Sequence, residues 1–265
     1  MAATSEKFRW LVRAGFAARG IVYLLFGYLA LGTAGEARDG QSAVFDYLQD
    51  VPLGVPLLYV MALGLLGYAT FRFMSAIGDI QHRGSGTEGA VKRVGDAASG
   101  VAHLFLAYAS YQFASGAKQT SDGGSSGEQM AGSVLAMDLG PVLIGLIGLG
   151  FLAAAGKQAY NAWTGDFMKR VSAGAPSGIR TAGRVGHAAR AVVFAVIGWS
   201  MVQGAWLAQE GQIKGLGEAL LSLRDMGALY TLVAIGLILF GAFSLVVARY
   251  RIIPELGIEG LKPKF

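Results

Sequence analysis

The sequence predicts an all-α integral membrane protein, in which six transmembrane helices form three parallel two-helix repeats with a pseudo-threefold arrangement. Low charge, six long apolar segments and an internal repeat lead to this fold class. Of the 265 residues, 54% are hydrophobic and 15% are charged, whereas soluble domains carry about 25% charged residues. The 40 glycines are roughly twice the usual share, and small residues are typical of helices that pack closely in lipid.

Six segments are apolar over the roughly 20 residues that a helix needs to cross a bilayer. They cover residues 14–34, 54–77, 97–115, 139–162, 188–208 and 227–248. The first segment has features of a signal peptide, but its motif returns twice in mid-chain, so we assign it to the fold. The chain contains no cysteine, which excludes disulfides, iron–sulfur clusters and thiolate zinc sites.

Lys and Arg residues are unevenly distributed among the segments that connect the spans. Eighteen of the 22 belong to the N-terminus, the second and fourth loops and the C-terminus. The remaining four are Arg38, Lys118, Lys214 and Arg224. Because cytoplasmic loops of membrane proteins are enriched in Lys and Arg, we expect both termini to be cytoplasmic.

The first helix of each repeat starts with a similar motif. "RAGFAARGIVYLLFG" begins at Arg13, "RVGDAASGVAHLFLA" at Arg93 and "RVGHAARAVVFAVIG" at Arg184. The repeats, called units 1, 2 and 3 below, cover residues 13–80, 93–166 and 184–251 of a single membrane domain, 1–265. Two helices return the chain to the same side of the membrane, so the three units share one orientation, as in parallel repeats.

Small residues recur at fixed places in both helices of each unit. The corresponding glycines are Gly15, Gly95 and Gly186 in the first helices, and Gly64, Gly150 and Gly236 in the second. Lipid provides no hydrophobic drive between helices, so close contact along small residues must hold the bundle together. We therefore expect these seams of small residues to lie in tight helix contacts in all three units.

The three outer loops each contain a short, half-apolar stretch. These are "QSAVFDYLQD", "EQMAGSVLAMD" and "GEALLSLRD". Such stretches predict short helices at the outer membrane interface.

The "RxGxxARG" helix start, the paired helices and the three tandem copies resemble a bacterial family of integral membrane proteins known as domain of unknown function 1206. The resemblance covers Arg13 to Arg251. Unit 2 departs from the pattern, with Ser99 in place of the second arginine and His103 where units 1 and 3 have aromatic residues. The resemblance implies a fold but no activity and no site residues. We expect a multi-pass protein of the bacterial inner membrane.

Two stretches match catalytic or cofactor patterns without the structure that those patterns require. "GGSSG" at Gly123–Gly127 lacks the strand, helix and histidine partner of a nucleophile elbow. "GLGFLA" at Gly148–Ala153 lies inside an apolar span with no strand before it. We therefore predict no catalytic residue, no metal site and no cofactor.

His103 is an ionisable residue inside the third predicted span, and such residues mark functional sites by default. The simpler interpretation is a neutral histidine that shares hydrogen bonds within the bundle. In either case we expect the ring to face the bundle interior. His82 and His187 fall at the predicted cytoplasmic edge, so a haem with two histidine ligands is not expected.

The repeated arginines Arg13, Arg93 and Arg184, with Arg19 and Arg190 six residues after two of them, are the candidate binding residues. A cation at a helix N-terminus is unfavourable, so its repetition indicates a compensating partner. The favoured interpretation is anionic lipid headgroups of the cytoplasmic leaflet, which favour each nearby Lys or Arg by about 1 kcal/mol. The alternative is that Arg19 and Arg190 converge around the pseudo-threefold axis as an anion-binding entrance.

Three classes of function are compatible with these patterns. The first, which we favour, is a non-enzymatic membrane protein that acts as an accessory subunit or lipid-binding scaffold. Its expected partners are anionic membrane lipids and a larger membrane protein complex, but not nucleic acid. The alternative is a small transporter or channel with a central site on the axis. An intramembrane enzyme lacks any convincing set of catalytic groups.

Overall fold

The computed structural model describes residues 2–32, 41–50, 52–81, 84, 86–117, 134–207 and 209–253. The α-helices with described bounds are α1 (Ala2–Gly32), α2 (Gln41–Asp50), α3 (Gly54–Ile77), α4 (Thr87–Ala114), α5 (Gly140–Thr164), α6 (Ile179–Leu207), α7 (Leu216–Leu221) and α8 (Ala228–Tyr250). Short 3₁₀ turns cover Asp166–Arg170, Glu210–Gln212 and Arg224–Met226. In this part of the chain, β-type pairing is limited to one bridge between Val171 and Arg251. The all-α prediction is therefore confirmed for the described residues.

Five of these helices are long and apolar enough to cross a membrane: α1 from Val12 onward, α3, α5, α6 and α8. Helix α4 has 28 residues but does not meet the same criterion. Charged residues occupy its first turns, and His103 and Gln112 lower the hydropathy of the rest. The protein is thus a helical, membrane-type protein with five candidate spans, whereas the sequence predicted six.

The long helices pack in the order α4, α3, α1, α8, α6, α5. The most extensive contacts join helices of neighbouring units, namely α5 with α6, α3 with α4, and α1 with α8. Contacts within a unit form between α1 and α3 and between α6 and α8. The two helices of unit 2, α4 and α5, make no comparable contact with each other. Among the described helices the arrangement is therefore open between α4 and α5, and we call this gap the α4–α5 opening.

The seams of small residues are closed in units 1 and 3. A Cβ atom placed on Gly15 would lie 2.5 Å from the Cβ of Tyr68, and one placed on Gly64 would lie 3.0 Å from the Cβ of Ala18. In unit 3, a Cβ atom on Gly236 would lie 2.5 Å from the Cβ of Ala189. These distances are shorter than a van der Waals contact, so the backbones approach each other only because these residues are glycines.

The same seam in unit 2 is open, so the prediction of tight contacts is wrong there. Cβ atoms placed on Gly95 and Gly150 would meet no atom of another described helix within 4 Å. Helix α5 instead packs on α6, where Gly148 and Gly198 each face the other's carbonyl oxygen, at 2.9 and 2.8 Å from the added Cβ atoms. This contact corresponds to the α3–α4 and α1–α8 contacts of the other units, so unit 2 lacks only the extensive contact between its own two helices.

Two of the predicted outer helices are present. Helix α2 buries Val44, Phe45 and Leu48, and α7 buries Ala219 and Leu220. Both therefore pack into the bundle with their apolar faces. The first residues of the third predicted helix, and the "GGSSG" stretch, lie outside the described residues.

Replacing glycine by leucine tests this difference between units. Gly64→Leu and Gly236→Leu should each lower the stability of the bundle, because overpacking a close contact costs about 1–3 kcal/mol. Gly150→Leu should leave the thermal unfolding midpoint in detergent close to that of the unchanged protein. Equal destabilisation by all three variants would show that α4 and α5 are in contact.

Candidate functional site

Arg93 and Arg184 cap the C-terminal ends of neighbouring helices. Arg93 donates from Nε to the carbonyl oxygen of Ala76 at 2.5 Å and from Nη2 to that of Ile77 at 3.1 Å. Arg184 makes the corresponding contacts at the end of α5, with the carbonyl oxygens of Ala162 at 2.7 Å and Trp163 at 2.9 Å.

These contacts give the repeated arginines a partner that the sequence analysis did not consider. The last carbonyl groups of a helix lack intrahelical partners and carry partial negative charge. A cation at the start of one helix is therefore compensated by the end of the helix beside it. Headgroup binding by Arg93 and Arg184 stays a prediction. The Nε atom of Arg13 is buried without a hydrogen-bond partner.

Arg19 lies inside the bundle, with only 9% of its surface exposed. It donates from Nη1 to the hydroxyl oxygen of Tyr68 at 2.9 Å and from Nη2 to the Oγ of Ser244 at 3.2 Å. These residues belong to α3 and α8. One guanidinium group thus connects α1 to α3 and α8, the two long helices that pack against it.

Arg72 shares the same tyrosine. It donates to the Tyr68 hydroxyl oxygen from Nε at 2.9 Å and from Nη2 at 2.6 Å. Its Nη1 contacts Oδ1 of Asp96 at 2.6 Å, which joins α3 to α4. The sequence analysis did not predict this pair. The signal that could have identified the pair is Asp96 itself, an acidic residue at the position occupied by Phe16 in unit 1.

Aromatic rings surround the arginines. The Cζ atom of Arg190 lies 4.4 Å from the ring centroid of Phe240, 4.7 Å from that of Phe194 and 5.3 Å from that of Tyr23. Arg19 contacts the Phe240 ring as well, at 5.1 Å. Because both guanidinium groups lie against one ring, Arg19 and Arg190 converge inside the bundle and are not distributed on its outer rim.

Arg251 extends this group at the end of α8. Its Cζ atom lies 4.7 Å from the ring centroid of Phe16 and 5.6 Å from that of Phe71. Burial lowers the pKa of Arg251 to about 9, which leaves the side chain protonated at pH 7. We call Arg19, Arg72, Arg190 and Arg251 the arginine cluster.

The cluster carries more positive than negative charge. Among the described residues, Asp96 is the carboxylate that forms an ion pair with it. The guanidinium groups of Arg190 and Arg251 make no hydrogen bond or ion pair in this part of the chain, and their Nε atoms are buried. Aromatic faces attract cations by about 0.5–2 kcal/mol, which offsets only part of the cost of removing a charge from water.

His103 faces the bundle, as predicted. Its ring lies 4.4 Å from the Tyr68 ring, and its Nδ1 atom is 2.7 Å from the carbonyl oxygen of Ser99. The residue is half-buried.

His187 is more buried than the sequence analysis expected, with 7% of its surface exposed. It lies among the rings of Phe167, Phe240 and Phe243, and its Nδ1 atom is 2.5 Å from Oε1 of Gln158. His82 lies outside the described residues. Within the described part of the chain, no three His, Cys, Asp or Glu side chains form a group that could hold a metal ion.

Comparison with known proteins places this architecture in a family. A family model described as Domain of Unknown Function (DUF1206) matches residues 14–79, 94–165 and 185–251. The chain belongs to the DUF1206 family. It is also similar to an uncharacterized protein, YxxB, of Bacillus subtilis (strain 168), with 31% identity over 250 residues and 90% of each chain covered. No solved structure matches the chain.

The three matched segments allow the arginine cluster to be compared between the units of this DUF1206 chain. Six residues after the first arginine, the units have Arg19, Ser99 and Arg190. In the second helices, the residues that correspond to Tyr68 are Ala154 and Phe240. Unit 2 therefore contributes neither a guanidinium group nor a central ring at these positions.

Tyr68→Phe tests whether the shared hydroxyl group organises the cluster. The substitution keeps the ring but removes the acceptor of Arg19 and Arg72, and unsatisfied buried donors cost about 1–3 kcal/mol each. We expect a lower thermal unfolding midpoint in detergent. Tyr28→Phe is the matched control, because Tyr28 is 57% exposed. Equal midpoints for the two variants would mean that the hydroxyl group of Tyr68 does not stabilise the bundle.

Proposed function

We propose that the protein is a non-enzymatic scaffold of the bacterial inner membrane that binds an anionic lipid, with the lipid headgroup held at the arginine cluster. The observation that carries the proposal is the excess of positive charge at the arginine cluster, in which Arg19 is buried and the other three arginines are half-buried. Arg190 contacts three aromatic rings but no acceptor among the described residues. Arginine is well suited to phosphate groups because its planar N–H donors can bind two oxygens at once.

The proposal includes six spans, with α4 as the third. A helix of 28 residues is about 42 Å long, whereas the hydrocarbon core of a bilayer is about 30 Å thick. Helix α4 packs along α3, and its polar side chains Asp96 and His103 contact α3 residues. Polar groups inside a bundle are tolerated in a span because they are shielded from lipid.

The arrangement we propose is pseudo-threefold but interrupted in unit 2. Extensive contacts between neighbouring units occur three times among the described helices, whereas extensive contacts within a unit occur in units 1 and 3 and not in unit 2. A transporter with a central pathway is the less well supported alternative, because the side chains of Arg19, Tyr68 and Phe240 fill the middle of the bundle. Both termini lie in the cytoplasm in this proposal, as the Lys and Arg distribution predicts.

Reporter fusions distinguish six spans from five. A reporter placed after Gly84 should give a cytoplasmic signal, and one placed after Asp122 an external signal, because α4 crosses the membrane between them. Signals from the same side at both positions would show that α4 does not span the membrane.

The lipid proposal is tested by the lipids that remain bound after purification. Arg190→Gln should reduce the ratio of anionic to zwitterionic phospholipid, measured by mass spectrometry of lipid extracts, about tenfold. This factor corresponds to about 1.4 kcal/mol, close to the value of one hydrogen bond to a charged group. Arg190→Lys should retain part of the binding.

Arg249→Gln provides the matched control for charge. Arg249 is an exposed arginine near the same end of the bundle, so its loss changes the net charge equally without altering the cluster. An equal decrease in both glutamine variants would indicate general attraction to an anionic surface. No decrease in either would contradict headgroup binding altogether.

A further inference from the structure

We infer that the α4–α5 opening receives an acyl chain of the lipid whose headgroup lies at the arginine cluster, so that the lipid enters the protein sideways from the bilayer. This inference rests on the proposed function and adds where the apolar part of the ligand lies. The opening lies in unit 2, the unit whose two helices do not pack together as those of units 1 and 3 do.

Units 1 and 3 each have a buried ring between their two helices. Tyr68 packs against Gly15, and Phe240 packs against Gly186, where an added Cβ atom would lie 2.7 Å from the backbone of Phe240. In unit 2 the corresponding residues are Ala154 and Gly95. Unit 2 thus has two small residues where units 1 and 3 have a ring packed on a glycine. Its helices α4 and α5, between which such a ring would lie, are separated.

The small residues Gly150 and Ala154 of α5 lie on a face that points away from α6. Residues of an α-helix are rotated by about 100° each, so Gly150 lies roughly 200° around the helix from Gly148, which contacts Gly198 of α6. Ala154 is four residues after Gly150 and shares its face. In the described part of the chain, neither Gly150 nor Gly95 would bring an added Cβ atom within 4 Å of an atom of another helix.

The inner end of the opening reaches the arginine cluster. On the α4 side, Asp96 contacts Arg72 and His103 contacts the ring of Tyr68. On the α5 side, Gln158 contacts His187, which packs on the same Phe240 ring as Arg19 and Arg190. A ligand that fits both regions has a negatively charged group at one end and a flexible apolar chain at the other.

The outer surfaces of α4 and α5 are apolar. Exposed side chains include Val101, Leu104 and Phe105 on α4 and Leu146 and Leu149 on α5. A bilayer covers such surfaces with acyl chains, so lipid is available at the mouth of the opening. An anionic lipid is the occupant that matches both the surrounding apolar surface and the unbalanced positive charge.

The test uses a phosphatidylglycerol analogue with a photoreactive diazirine on one acyl chain, incorporated into phosphatidylcholine vesicles with the full-length protein. In the unchanged protein, peptide mass spectrometry should find the crosslinks on α4 and α5. Ala154→Phe supplies the ring that units 1 and 3 possess. It should reduce these crosslinks about tenfold, which corresponds to lost contact with about two methylene groups, with no fall in the thermal unfolding midpoint.

Gly156→Leu is the matched control, because Gly156 lies about 200° around α5 from Ala154 and has no atom within 4 Å of an added Cβ. It should leave the crosslinks unchanged. Gly150→Leu fills the same face as Ala154→Phe and should reproduce its effect. If both filling variants destabilise the protein, the space is already occupied by protein, and the inference is wrong.

Arg190→Gln separates this inference from the proposed function. If Arg190→Gln reduces crosslinking but Ala154→Phe does not, the headgroup site stands and the acyl chain lies elsewhere. If neither variant changes crosslinking, both proposals are contradicted. If Ala154→Phe instead converts a dimer into a monomer in sedimentation without affecting lipid, the opening is an interface between two copies of the chain.

Discussion

The fold depends on how positive charge is accommodated inside an apolar bundle. The hydroxyl oxygen of Tyr68 accepts hydrogen bonds from both Arg19 and Arg72, so one fully buried group connects α1, α3 and, through Asp96, α4. The ring of Phe240 lies against Arg19 and Arg190 and connects α8 to α1 and α6. Five of the six long helices are therefore joined through two aromatic side chains and the arginines around them.

The seams of small residues make this arrangement possible. Guanidinium groups reach residues of neighbouring helices only if the helix axes are close, and the closest approaches occur at glycines such as Gly15 and Gly186. Unit 2 lacks both the close contact along the seam of small residues and the central ring, and its helices α4 and α5 are separated. The opening therefore originates in unit 2, whereas the unbalanced positive charge comes from the arginines of units 1 and 3.

The sequence predicted the helical class, the seams of units 1 and 3 and the inward orientation of His103, because these features depend on repeated local patterns. It missed the caps formed by Arg93 and Arg184, the Arg72–Asp96 pair and the burial of His187. These depend on which helices become neighbours, and a periodic pattern does not specify neighbours. The most extensive contacts of the repeat join different units, so reasoning within one unit could not find them. The open seam at Gly95 and Gly150 was missed for the same reason.

The central claim is that the arginine cluster holds an anionic headgroup. Native mass spectrometry of the detergent-purified protein measures this most directly, because it weighs the intact protein with its retained ligands. The account predicts a species that carries one anionic phospholipid and persists under activation that removes loosely attached zwitterionic lipids. A protein that retains no lipid, or that retains anionic and zwitterionic lipids equally well, would contradict it.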